Sequence, residues 1–128
     1  MTTTTHSEQP TAVTDAEEIM SFQQLVRMVP IADSVARYAV DLVRATRATD
    51  AEASDYVKKY VNFGASVRGA QFLVLAAKCR ALMRHRYHVS YEDVAALLRP
   101  VLRHRILLNF QAESDRLTPD DILKRILE

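Results

Sequence analysis

Two glycines, Gly64 and Gly69, are separated by four residues in the stretch NFGASVRGAQFL. This G-x-x-x-x-G spacing opens a phosphate-binding P-loop, which needs a lysine and then a serine or threonine after the second glycine. Ala70 and Gln71 occupy those positions here, and neither side chain can reach a terminal phosphate or hold Mg²⁺. The preceding residues 60–63 are also too few for a convincing buried strand. The stretch therefore argues against a P-loop and needs another explanation.

Arg68 is the strongest candidate for chemistry in this stretch, because Ser66 is a good N-cap and Arg68 is then the second residue of a helix. A helix start offers free backbone N–H groups and a partial positive charge, and a guanidinium there reinforces an anion site. Gly64 allows the loop of residues 62–66 to bring its backbone close to a ligand. The alternative is an ordinary exposed arginine that mildly opposes the helix dipole. The residues alone leave both interpretations open.

Three histidines, His85, His88 and His104, raise the question of a metal site. His85 and His88 straddle the predicted end of a helix, and no carboxylate or thiol lies at a matching spacing. Their neighbours are basic and disfavour a bound cation: Arg84, Arg86, Arg103 and Arg105. We therefore predict no metal site.

The charge distribution is uneven, although the net charge is only +1. Residues 58–112 contain ten bases and two acids, whereas residues 1–57 contain four bases and nine acids. The basic middle fits a solvated face, or a site for an anionic ligand or an acidic partner. DNA binding is an alternative, but no clear helix-turn-helix emerges and aromatic residues are not interleaved with the basic ones. No serine–histidine–aspartate arrangement or carboxylate pair predicts catalysis by this chain alone.

The composition is that of one globular domain: 128 residues, 48% hydrophobic and 26% charged. Glycine and proline are scarce, which favours helices. No apolar run approaches the roughly 18 residues of a membrane span, and the start MTTTTHSEQP has no apolar core for a secretion signal. The single cysteine, Cys79, is predicted to be a small buried residue, so the default location is the reducing cytoplasm.

Cap residues and apolar spacing predict an all-α fold, a helical bundle of five or six helices with possibly one small strand pair. We expect a disordered tail over residues 1–13 and one helical domain over residues 14–128. The predicted helix starts are Thr14 in a capping box with Glu17, Asp33 or Ser34, Ser66, Ser90 with Asp93, and Thr118 before Pro119.

Three further features of the bundle are predicted from the pattern. The first helix carries an apolar stripe that includes Phe22 and Leu25 and ends at Pro30. Residues 67–84 are apolar on two sides, which indicates a central helix packed by neighbours on both. Pro100 marks a break or a new helix start.

The run YVNFGASVRGAQFLVLAAKCRALMRHRYHVSYEDVAALLRPVLRHRILLNF resembles the C-terminal lid of MoxR-family AAA+ ATPases. The upstream DLVRATR, residues 41–47, and the ending QAESDRLTPDDILKRILE resemble the same lid. The resemblance covers roughly residues 15–128, with the motifs in the right order.

This resemblance implies that Arg68 is the sensor-2 arginine, which reaches the terminal phosphates of ATP bound in a neighbouring larger subdomain. Ser66 holds the cap position of the motif. Val67 stands where the family usually has proline, Gly69 where it usually has alanine, and His85 where a glycine is common. The expected nucleotide-binding residues are therefore Arg68, Ser66, Val67 and Gly64.

The chain contains no Walker A motif, no Walker B acid pair and no candidate nucleotide-binding core. By resemblance, ATP and its Mg²⁺ are held mainly by a core that is absent here, so the chain is expected to bind ATP weakly or not at all. The implied partners are that core, neighbouring subunits of a ring, and von Willebrand factor A domain proteins. The implied activity of the complete protein is ATP hydrolysis coupled to chaperone-like remodelling. The alternative is a free-standing helical interaction module.

Overall fold

A computed structural model describes residues 9–128 and shows an all-α domain with one small sheet. The elements follow the chain in this order: α1 (Ala16–Arg27), α2 (Asp33–Ala45), α3 (Asp55–Tyr60), β1 (Val61–Phe63), α4 (Val67–Met83), α5 (Tyr91–Leu102), a 3-10 turn (Arg103–Arg105), β2 (Leu107–Leu108), α6 (Phe110–Ser114) and α7 (Pro119–Leu127). The predicted fold class and strand pair are confirmed. The described part has seven α-helices rather than five or six because α3 and α6, of 6 and 5 residues, are separate short helices.

The predicted tail, residues 1–13, lies mostly outside the described residues, which begin at residue 9. Residues 9–13 are exposed and belong to no helix or strand. The predicted Thr14 cap with its Glu17 partner is wrong by one residue, because Asp15 caps α1 by accepting from the Glu18 N–H at 2.9 Å. The Thr14 hydroxyl instead donates to the Glu18 carboxylate.

Helix α4 lies at the centre of the bundle and packs against α5, α2 and α1. Leu73, Ala77 and Ala81 are fully buried, and the two alanines let neighbouring helices approach closely. The opposite side of α4 is more open, with Phe72 46% exposed and Met83 77% exposed. The prediction of burial on both sides is therefore correct for one side only.

Helix α5 begins with the predicted capping box, in which the Ser90 hydroxyl accepts from the Asp93 N–H and the Asp93 carboxylate accepts from the Ser90 N–H. The predicted break at Pro100 is wrong, since α5 continues to Leu102. A proline removes the hydrogen bond to the carbonyl four residues earlier, here that of Ala96. Both residues are exposed, so water can satisfy that carbonyl, while Leu102 is fully buried and anchors the last turn.

The small sheet ties together two distant loops. Strands β1 and β2 are antiparallel, with Val61 opposite Leu108 and Phe63 opposite Leu107, and a bulge lies between the two pairs. The next residue, Asn109, donates from its backbone to the Tyr60 carbonyl at 3.0 Å. Backbone hydrogen bonds to β2 and Asn109 therefore hold the segment of residues 60–63 that leads towards α4.

Candidate functional site

The start of α4 contains three of the four residues that were predicted to bind a nucleotide, namely Ser66, Val67 and Arg68. Ser66 occupies the N-cap position as predicted, but its side chain makes no capping hydrogen bond. In this turn the Gly69 N–H donates to the Ser66 carbonyl at 2.8 Å. Within residues 9–128, the backbone N–H groups of Val67 and Arg68 have no acceptor, so the helix start is open to an external anion.

Arg68 is exposed at this helix start, and in the described part of the chain its guanidinium makes no ion pair or hydrogen bond. Val67 beside it is 66% exposed. It borders an apolar groove of about 590 Å³ whose other apolar members are Ala36, Val40, Ala70, Val74 and Leu75. The site therefore combines one free cation with an exposed apolar margin.

Gly64 lies in the loop before α4 and is packed against the end of α2. A Cβ atom at Gly64 would lie 2.4 Å from the Thr46 carbonyl oxygen and 2.8 Å from the Arg47 Cα. Both neighbours are backbone atoms that cannot move aside cheaply. The close backbone approach that a glycine permits is used here inside the domain, and the predicted contact of Gly64 with a nucleotide stays a prediction.

The end of α2 also binds the next residue of this loop, Ala65. The backbone N–H of Ala65 donates to the Thr46 hydroxyl at 2.9 Å, and the Arg47 Nε donates to the Ala65 carbonyl at 2.9 Å. Thr46 is fully buried, and its hydroxyl donates to the Val43 carbonyl at 2.6 Å. We call these contacts the Thr46–Arg47 clamp. Thr46 and Arg47 end the DLVRATR motif, whose resemblance to the family predicts no role for either residue.

A buried carboxylate, Asp93, joins α4 to α5. Arg80 donates to it at 2.6 Å and Arg86 at 2.7 Å, and the Asp93 side chain is fully buried. The Arg86 guanidinium, helped by the Ser90 backbone N–H and by Arg80, holds the pKa of Asp93 well below its usual range, although burial opposes this shift. The sequence identified Asp93 only as a capping partner, because the two arginines meet it through tertiary folding.

Part of the predicted basic face is engaged in contacts within the domain. Arg80 and Arg86 are paired with Asp93, and Arg103 forms an ion pair with Asp120 at 3.2 Å. Arg105 stacks over the Phe72 ring at 4.8 Å. Arg84 and Arg99 are exposed and form no ion pair among the described residues.

The three histidines are not gathered into a metal site. In the described residues, no group of three or more histidine, cysteine, aspartate or glutamate side chains could hold a metal ion. His85 has instead a backbone role at the end of α4, where it adopts a positive φ of 56°. The Arg86 N–H donates to the Ala81 carbonyl and the His85 N–H to the Leu82 carbonyl, both at 2.9 Å, which is a Schellman ending.

Helix α1 has no buried residue, which distinguishes it from the other long helices. Its predicted apolar stripe is exposed at Ile19, Phe22 and Leu25, at 45%, 54% and 52%. Between α1, α4 and α5 runs a second groove of about 570 Å³, whose apolar members are Val26, Phe72, Leu75, Ala76, Cys79, Pro100 and Val101. Cys79 is half-buried at this groove rather than fully buried as predicted. The exposed stripe and this groove are together a candidate docking surface, which we call the α1 surface.

No helix within residues 9–128 is both long enough and apolar enough to cross a membrane.

Comparison with known proteins gives the class of domain. The family model described as the AAA lid domain matches residues 53–126, which is more than half of the chain. The chain therefore belongs to the AAA lid domain family. This agrees with the all-α fold of the described residues.

The relatives specify the branch of this family. The chain is 34% identical over 119 residues to Chaperone MoxR1 of Mycobacterium tuberculosis, covering 88% of this chain and 32% of that protein. It is 36% identical over 90 residues to Protein MoxR of Paracoccus denitrificans, covering 65% of this chain and 26% of that protein. These matches, with the structural match that follows, place the chain with the C-terminal lids of MoxR-family AAA+ ATPases.

A solved structure shares the fold. The crystal structure of a candidate ATPase from Cytophaga hutchinsonii matches with a TM-score of 0.81 and 31% sequence identity, over 87% of this chain and 34% of that chain. The chain thus spans about a third of the length of the MoxR1 relative and of this structure.

Proposed function

We propose that this chain is a nucleotide-sensing lid, and that Arg68 contacts the terminal phosphate of ATP held by a larger nucleotide-binding portion. One observation carries the proposal: Arg68 is exposed at an open helix start, and is unpaired among residues 9–128, in a domain of the AAA lid family. An arginine beside free backbone N–H groups is suited to a phosphate, because both offer hydrogen-bond donors and positive charge.

The residues of this chain fit one side of an ATP site but cannot form a complete ATP site. Arg68, the Val67 and Arg68 N–H groups and the free Ser66 hydroxyl supply donors on one side. The chain lacks the lysine and hydroxyl of a phosphate-binding loop, which would hold the phosphates and Mg²⁺. When ATP is bound in the complete site, the metal and the opposite wall come from the larger portion.

The α1 surface supports the proposed partners, namely the nucleotide-binding portion and neighbouring subunits of a ring. A lid that acts alone has no reason to expose Ile19, Phe22 and Leu25 along one helix. Burial of such a surface against another domain contributes about 25 cal/mol per Å² of apolar area. By resemblance the proposal extends to chaperone-like remodelling in the cytoplasm and to von Willebrand factor A domain partners.

The experiment joins this chain to the nucleotide-binding portion of a MoxR relative and compares two variants, Arg68→Ala and Arg84→Ala. Arg84 is an exposed arginine at the opposite end of the same helix and serves as the matched control. We expect Arg68→Ala to lower ATP turnover or ATP affinity at least tenfold, and Arg84→Ala to leave both unchanged. Unchanged turnover and affinity in Arg68→Ala would overturn the proposal.

Calorimetric titration of the isolated chain with ATP tests the proposed division of the site. We expect weak binding or none. Tight binding would show that the chain holds a complete site. A DNA mobility shift that weakens steeply with salt would instead favour the alternative of a DNA-binding domain.

A further inference from the structure

The start of α4 lacks the usual devices that fix a helix start. The Ser66 side chain makes no capping bond, and Val67 does not have the fixed φ that a proline would supply at that position. A side-chain cap normally stabilises the first turn of a helix. The position of Arg68 must therefore be set by contacts outside its own helix.

The Thr46–Arg47 clamp supplies those contacts three residues before Arg68. It binds both backbone groups of Ala65, the N–H through Thr46 and the carbonyl through Arg47. The Thr46 hydroxyl is oriented because it donates its own hydrogen to the Val43 carbonyl. Ala65 is almost completely buried, so water cannot replace these bonds.

The rest of the loop is held to the same support. Gly64 lies directly against the Thr46 carbonyl, where even a methyl group would not fit. On the other side, β1 is paired with β2 at Val61 and Phe63. These contacts therefore fix the loop relative to α2, and the fixed loop sets the position of the first turn of α4.

We infer that Thr46 and Arg47 are positioning residues for Arg68, acting through Ala65 rather than by contact with a nucleotide. This inference rests on the proposed role of Arg68 in nucleotide sensing. Loss of the clamp displaces the helix start, and a displacement of about 1 Å at a reacting group can reduce its effect as much as a hundredfold. We expect about a tenfold loss of ATP affinity or turnover for either Arg47→Ala or Thr46→Val.

The test uses the joined protein described above and asks whether the clamp acts through Arg68. Arg47→Ala and Thr46→Val are measured alone and combined with Arg68→Ala, with ATP affinity and turnover as readouts. Arg44→Ala is the matched control, because Arg44 lies three residues before Arg47 in the last turn of α2 but pairs with Asp50 at the surface. Thr46→Ser, which retains the hydroxyl, should restore nucleotide sensing. If Thr46→Val does not fold, Arg47→Ala alone decides, since the Arg47 side chain is only partly buried.

The outcomes separate the two claims. A loss in Arg47→Ala that disappears in the Arg68→Ala background supports the inference. If Arg68→Ala weakens nucleotide sensing but Arg47→Ala does not, the inference is overturned and the proposed function stands. A loss of equal size in both backgrounds also overturns it, because Arg47 would then act independently of Arg68. If Arg68→Ala has no effect, the proposed function fails and the inference fails with it.

Discussion

The hydroxyl of Thr46 accepts a hydrogen bond of 2.9 Å from the backbone N–H of Ala65, nineteen residues further along the chain. Both groups are buried. A buried N–H without an acceptor costs roughly 1–3 kcal/mol, which makes this bond a testable part of the fold.

We expect Thr46→Val to lower the free energy of unfolding by roughly 1–3 kcal/mol, because it keeps the side-chain shape and removes the acceptor. Hydrogen exchange at the Ala65 amide should become faster in the same variant. Thr46→Ser keeps the hydroxyl and should retain most of the protection at Ala65. Equal exchange at Ala65 in the native chain and in Thr46→Val would contradict the assigned bond.

The two glycines should respond differently to alanine. Gly64→Ala places a Cβ 2.4 Å from the Thr46 carbonyl oxygen, and we expect it to destabilise the domain by roughly 1–3 kcal/mol or more. Gly69→Ala places a Cβ 3.1 Å from the Leu102 Cδ2 and 3.3 Å from the Ala65 Cβ, and the small shift that these contacts require is offset by up to about 1 kcal/mol of helix propensity. Chemical denaturation of both variants measures the difference. A Gly64→Ala protein as stable as the Gly69→Ala protein would show that the loop is not packed on α2 as described.

Replacement of His85 by glycine should stabilise the domain. His85 adopts a φ of 56° at the end of α4, a conformation that costs a side chain about 1 kcal/mol and glycine almost nothing. Arg84→Gly is the matched control, since Arg84 has a φ of −98° and gains nothing from glycine. Thermal unfolding of the two variants should give a higher midpoint for His85→Gly and a lower one for Arg84→Gly. A lower midpoint for His85→Gly would count against the Schellman ending.

Asp93 should make stability depend on acid pH. The pKa of Asp93 is held below its ordinary value of 3.8, chiefly by Arg86. Its contribution is therefore fully present above about pH 5 and is lost as the pH falls towards the lowered pKa. Asp93→Asn should cost roughly 3 kcal/mol at neutral pH, because two arginines lose a buried partner, and this difference should shrink on acidification.

Asp121 provides the control for Asp93. It occupies the same position in the Thr118 capping box of α7, but no arginine pairs with it among the described residues. Asp121→Asn should destabilise less than Asp93→Asn. Denaturant unfolding from pH 7 to pH 3 measures both variants, and equal losses at neutral pH would show that the arginine contacts contribute nothing.

The features that the sequence predicted are those set by local chemistry. Ser90 with Asp93 and Thr118 before Pro119 mark helix starts, because a cap and its partner lie within one turn. Apolar residues at helical spacing located α2 and α4 for the same reason. Arg68 was found in this way, as a cation just inside a predicted helix start.

The features that the sequence missed depend on distant residues. The Thr46–Arg47 clamp joins positions 18 and 19 residues apart, and Asp93 meets Arg80 across thirteen residues. No local pattern indicates such contacts. The apolar spacing on α1 follows the predicted pattern, but the pattern does not show that Ile19, Phe22 and Leu25 are exposed in this domain. Proline is costly inside a helix, which predicts a break at Pro100, but the Ala96 carbonyl that loses its hydrogen bond is exposed and open to water.

The preference for ATP over ADP in the joined protein tests the central claim most directly. The measurement is the ratio of the dissociation constants for ADP and ATP, with Arg84→Ala as the control. Because Arg68 is proposed to contact the terminal phosphate, Arg68→Ala should weaken ATP binding about tenfold or more and leave ADP binding nearly unchanged. The ratio should therefore fall towards one. An unchanged preference for ATP in Arg68→Ala would contradict the claim that this lid senses the nucleotide through Arg68.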